Sequence, residues 1–169
     1  MFFFDSTYLR IISAKTAELF AASTKVGAIL SGMKTKEEAA LEFYGRNLGL
    51  TFQIADDTLV YNAELKLFGK KIGQDFFEGK ITLPIIFLYQ KANTNEKIYL
   101  EKIFKRENRS KLEYIETQKL LKKYNSINLC FKRAEYFVAI SYNALSIFKP
   151  SREKAILQNL TSYSLERSF

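Results

Sequence analysis

Between Leu48 and Leu59 the stretch LGLTFQIADDTL puts apolar residues on nearly every face of a helical turn, yet Asp56 and Asp57 stand side by side within it. A helix that is apolar all round belongs in the middle of a bundle rather than on its surface. Two adjacent carboxylates are costly in such a place unless a cation neutralises them, so the pair either faces solvent or holds metal. The helix is expected to begin at GMKTKEEAAL, with Thr35 as N-cap and Glu37 and Glu38 in the first turn, where negative charge suits the helix dipole. Its pattern predicts an unbroken run to about Glu64. Gln53, Asp56, Asp57 and Val60, three or four residues apart, would line one side of it.

The same period governs the rest of the chain. Asp5 or Ser6 can cap a first helix whose apolar positions Leu9, Ile12, Leu19, Phe20, Val26 and Leu30 recur as far as Ser31. Glycines at 69, 73 and 79 break the pattern, so residues 66–81 read as a loop. Thr82 is then expected to cap a new helix with Pro84 just inside it, where the missing N–H costs little. Helical spacing continues near 94–105, 109–123, 126–148 and 151–166, the last two split by Lys149-Pro150-Ser151. No alternating strand pattern competes. The expected fold class is all-α, in one domain spanning the 169 residues.

Composition narrows the chemistry. The chain has no histidine, which excludes a Ser-His-Asp triad, a Cys-His pair and any imidazole metal site. Chemistry must run on carboxylates, lysines and metal ions. The single cysteine, Cys130, lies among apolar residues in INLCFKRAEYF and reads as a buried thiol in a reducing compartment, so a cytoplasmic location is expected. The N-terminal MFFF run is interrupted by Asp5, Arg10 and Lys15, and no uncharged span approaches the roughly 20 residues of a membrane helix. A net charge of +8 would suit nucleic acid, but the lysines are scattered over polar helix faces rather than concentrated on one, and no nucleic-acid partner is expected.

Beyond the acidic pair, the loop supplies Lys70, Lys71 and Lys80 among glycines, which let the backbone come close to an anion while the ammonium groups neutralise it. Paired hard oxygen ligands suit Mg²⁺, which keeps several waters and bridges carboxylates to phosphates. Metal-binding acids followed by phosphate-binding lysines describe a diphosphate site.

At these residues the sequence resembles the C-terminal half of the trans-polyprenyl diphosphate synthases. YLRIISAKTAELFAASTKVGAIL is similar to that family's Lys-Thr helix, and YGRNLGLTFQIADDTLVY to its second aspartate-rich helix. LFGKKIGQDFFEGKITLPII matches its phosphate loop and YSLERSF its closing helix, in the same order from about residue 7 to the end. The resemblance implies part of an isoprenoid-synthase-type helical bundle and a Mg²⁺-dependent condensation of an allylic diphosphate with isopentenyl diphosphate, in isoprenoid biosynthesis of the quinone side-chain type. It implies Asp56 as direct ligand to one Mg²⁺ and Asp57 as holder of that ion's water shell. Lys15 and Lys70 would grip the allylic diphosphate, and Thr16 and Gln53 would steady the carbocation. Phe52 would flank the isopentenyl chain, and Lys80 would add positive charge at the loop's end.

Two departures from the family pattern stand out. Val60 occupies the third acidic position of the usual DDxxD motif, and Val60→Asp is expected to leave activity equal or improved. The family's N-terminal half, with its first aspartate-rich motif, has no counterpart in these residues, so helices that should be central are expected to expose apolar faces. One expectation is therefore a synthase completed by a separately encoded N-terminal half, with homo-oligomerisation on top, this chain being inactive alone. The alternatives are a non-catalytic fragment left by gene decay and a helical subunit that binds a full-length synthase.

Overall fold

The computed structural model describes residues 5–61 and 73–166. The described residues form helices and no strand, as the apolar period requires. In chain order these are α1 (Asp5–Ile12), a π turn (Ser13–Ala17), α2 (Glu18–Leu30), α3 (Thr35–Leu59), α4 (Gln74–Phe77), α5 (Leu83–Lys91), α6 (Thr94–Phe104), α7 (Lys111–Lys123), α8 (Ser126–Ala144), a 3₁₀ turn (Leu145–Ile147) and α9 (Arg152–Glu166).

Several boundaries follow from local chemistry. Helices α6 and α7 each open on a complete capping box, Asn93 with Glu96 and Ser110 with Glu113, in which side chain and backbone satisfy each other's free donors. Thr82 stands at the N-cap of α5 with Pro84 in the first turn, as the sequence suggests, although its hydroxyl makes no capping bond. Thr35 is not the cap of α3. Lys34 holds that position, its carbonyl accepting from the N–H groups of Glu37 and Glu38 while its own N–H donates to Glu37 Oε2 at 2.8 Å.

Helix α3 ends at Leu59, with Val60 and Tyr61 packed in an apolar core and the Tyr61 N–H closing on the Thr58 carbonyl; Glu64, the expected end, lies outside the described residues. The expected loop holds the short helix α4, which Phe76 anchors by complete burial. Helix one is interrupted by the π turn, and Leu19, Val26 and Leu30 on its outer side are exposed rather than core.

The chain divides into two compact units, Met1–Tyr8 with Asp56–Phe131, and Leu9–Ala55 with Lys132–Phe169. The first is built on Val60, Tyr61, Phe76, Ile85, Leu88 and Leu100, with Phe104 and Tyr114 set against the Phe76 ring at centroid distances of 5.6 and 5.5 Å. In the second, Tyr44 is fully buried with Leu48 and Leu145, and its hydroxyl donates to the Leu157 carbonyl at 2.7 Å, fastening α9 to α3. Cys130 is buried, as expected.

Candidate functional site

In the second unit, two glycines on α3 let α2 and the preceding turn come unusually close. A Cβ at Gly45 would lie 2.2 Å from Thr24 Oγ1, and one at Gly49 would lie 2.6 Å from the Ala17 Cα. Only hydrogen fits at those positions, and helix backbones can then approach nearer than side chains usually allow. The approach seats Thr16 on Gln53: its hydroxyl donates to Gln53 Oε1 at 2.6 Å across 37 residues of sequence. Gln53 is buried, and Phe52 beside it is half-buried with its ring 5.6 Å from that of Phe20. Lys15 and Thr16 sit in the π turn, which the sequence reading missed. One added residue per turn shifts their faces, and such turns recur at functional positions. Lys15 is exposed.

In the first unit, Asp57 is 7 % exposed, which answers the question its sequence position raises: it does not face open solvent. The Tyr8 hydroxyl donates to Asp57 Oδ2 at 2.8 Å. Burial pushes the Tyr8 hydroxyl well above its ordinary value, and the Asp57 carboxylate beside it pushes further, so Tyr8 keeps its proton throughout the neutral range. Asp56, next along the helix, is partly exposed.

Val60 does not continue this acidic face. It is buried in the apolar core with Tyr61 and Phe76, so the expectation that Val60→Asp would be harmless is withdrawn: a charge there would be buried away from water. Among the described residues no three His, Cys, Asp or Glu side chains gather to hold a metal. Asp56 and Asp57 offer at most part of a coordination sphere, which fits a hard cation that keeps its waters and takes its other oxygens from a diphosphate.

The Gly73 N–H donates to the Val60 carbonyl at 3.1 Å. Gly73 has φ +76°, and a Cβ there would strike the Tyr114 ring. Lys80 bonds Glu78 at 2.5 Å and Asp75 at 3.2 Å. The Glu78 carboxylate foremost, with Asp75 behind it, holds the Lys80 ammonium above its ordinary value, while partial burial pulls the other way. Arg109, which sequence reasoning passed over, fastens this region by donating to the carbonyls of Phe77, Phe104 and Arg106. Lys70 and Lys71 lie outside the described residues.

With this geometry in view, comparison with known proteins decides the family. Residues 4–121 match the Polyprenyl synthetase family. The chain belongs to that family. It is 32 % identical over 98 % of its length to the octaprenyl diphosphate synthase of Haemophilus influenzae, covering 50 % of that protein. It is 32 % identical over 96 % of its length to a Bacillus subtilis protein named heptaprenyl diphosphate synthase component 2, covering 46 % of it. Among solved structures, a Caulobacter crescentus polyprenyl synthase complexed with calcium and isoprenyl diphosphate superposes with a TM-score of 0.92 at 32 % identity, over 98 % of this chain and 51 % of that one. The chain thus spans about half the length of the curated relatives it matches. No helix among the described residues is long and apolar enough to cross a membrane.

Proposed function

We propose that this chain supplies the second carboxylate-bearing half of a Mg²⁺-dependent polyprenyl diphosphate synthase, which joins an allylic diphosphate to isopentenyl diphosphate once the other half of the fold completes it. The observation that carries this reading is the 2.6 Å bond between Thr16 and Gln53, two residues the family resemblance assigns to one task from opposite ends of 37 residues of chain. Because Thr16 gives its proton to Gln53, its remaining lone pairs are available to face a developing positive carbon.

Phe52 would lie along the isopentenyl chain. Lys15 and Lys70 would hold the allylic diphosphate, and Lys80 would join them by exchanging its carboxylate partners for phosphate oxygens. Asp56 would ligate Mg²⁺ directly and Asp57 would order its waters. The metal, when bound, supplies charge neutralisation of the departing diphosphate. This chain's own part is to orient the two substrates and to keep bulk water from the cation.

An incomplete face supports the need for a second half. On α2, Leu19 is 73 %, Val26 51 % and Leu30 83 % exposed, in one row at helical spacing. Gly27 interrupts the same helix with no neighbour within 4 Å of where its Cβ would stand among the described residues, although a mid-helix glycine costs about 0.5–1 kcal/mol. Gly45 and Gly49 show what such glycines do when another helix is present. A relative named as component 2 of a synthase is consistent with a function divided among polypeptides. The rival reading, a helical subunit without chemistry, draws on Val60, which puts an apolar core residue where the family's third acid would be.

The test is incorporation of labelled isopentenyl diphosphate onto an allylic diphosphate with Mg²⁺. The chain is assayed alone and mixed with the half of the Haemophilus relative that it does not cover, which the family resemblance implies is the N-terminal one. Elongated product only in the mixture supports the proposal. A stable mixed complex that makes none supports the non-catalytic subunit.

A further inference from the structure

We propose that Tyr8 is a positioning residue for the acidic pair: its hydroxyl fixes the Asp57 carboxylate in the orientation a hydrated cation requires, without cancelling its charge. The inference rests on the reading of Asp56 and Asp57 given above. Tyr8 and Asp57 are separated by 49 residues, and both are buried. Of the side chains able to donate to a buried carboxylate, lysine and arginine would neutralise it and compete with a metal for it. A tyrosine hydroxyl supplies a directed hydrogen bond and leaves the full negative charge in place.

The position of the donor strengthens the case. Tyr8 lies in α1, seven residues before Lys15 in the same helical run, whereas Asp57 lies in the last turn of α3. Val60, three residues beyond Asp57, is committed to the core, and the Tyr8 hydroxyl reaches the Asp57 carboxylate from a separate helix. Hydrogen-bond partners one step behind metal-side residues characteristically change metal affinity by about 10–100-fold when removed.

Tyr8→Phe removes one oxygen and keeps the ring, and Mn²⁺ with inorganic diphosphate is the probe, titrated calorimetrically against the chain alone and in the mixed assembly. The variant is expected to bind Mn²⁺-diphosphate about 10-fold or more weakly at unchanged helicity. In the assembly its activity should recover at high Mg²⁺, a shift in metal requirement rather than in maximal rate. In an Asp57→Asn background, Tyr8→Phe should add no further loss.

Tyr8→Phe with wild-type affinity, or an equal loss in the Asp57→Asn background, would overturn the proposal. So would a Tyr8→Phe chain that fails to fold while Asp57→Asn folds, because the bond would then be a tie of the fold. A wild-type chain that binds no Mn²⁺ in either form would instead overturn the metal reading of the pair itself.

Discussion

The two ends of α3 are held by opposite means. At Gly45 and Gly49 the helix has given up its side chains so that the backbones of α2 and the π turn can press against it. At its C-terminal end it keeps its side chains: Asp57 accepts a directed hydrogen bond from Tyr8, and Val60, just past the helix, is anchored in an apolar core. The first arrangement places the Thr16–Gln53 pair by steric exclusion, which tolerates no added atom. The second meets a carboxylate with a neutral hydroxyl donor, which does not cancel its charge. One helix therefore carries a rigidly packed oxygen pair and, one turn on, the two adjacent carboxylates for which a metal role is proposed.

The largest effect that would break this contrast is Val60→Asp. Burying an unpaired carboxylate among Tyr61, Phe76 and Leu88 should cost about 3–5 kcal/mol, read as a collapse of the thermal unfolding midpoint. A stable variant with restored metal binding would show that Val60 belongs to the acidic face after all. Next comes Gly49→Ala, where one methyl against the Ala17 backbone should cost about 1–3 kcal/mol and pull Thr16 away from Gln53. Denaturant unfolding checks the first part, and a stability equal to wild type would mean that the helices are not held by close approach.

The smallest effect lies away from α3. Lys123 and then Tyr124 hold the Glu96 carboxylate down at about 2, with the Asn93 N–H contributing. A carboxylate depressed in the folded state stabilises above its unfolded value, near 4.5, and that contribution is lost as pH falls toward about 2. Thermal midpoints followed across that window should fall less steeply in Glu96→Gln than in wild type. Parallel profiles would remove this pair from the account and leave α3 untouched.

Much of this was legible in the sequence. Helices α5 to α9 follow the apolar period and its cap residues, and the Asp56-Asp57 pair, Thr16, Gln53 and Lys15 could be named from spacing and family resemblance before any coordinate. The end of α3 could not be read. Helical periodicity fits Val60 and Tyr61 as well as it fits a turn, and their place in the core around Phe76 depends on residues distant in sequence. The π turn was hidden because an extra residue leaves three- and four-residue apolar steps intact. Leu19, Val26 and Leu30 formed the expected stripe, but periodicity says that a face is apolar and not which chain covers it. The pairing of Lys80 was locally available, since Asp75 and Glu78 precede it in the same loop and compete with any phosphate for its charge.

The central claim is that the acidic pair at the end of α3 serves a metal-dependent prenyl transfer. The most direct measurement is Mg²⁺-dependent incorporation of isopentenyl diphosphate by the completed assembly carrying Asp56→Ala. The account predicts a rate reduced roughly 1,000-fold, corresponding to about 4 kcal/mol of lost transition-state stabilisation, with helicity and assembly unchanged. Turnover at the wild-type rate with the wild-type Mg²⁺ requirement would contradict it.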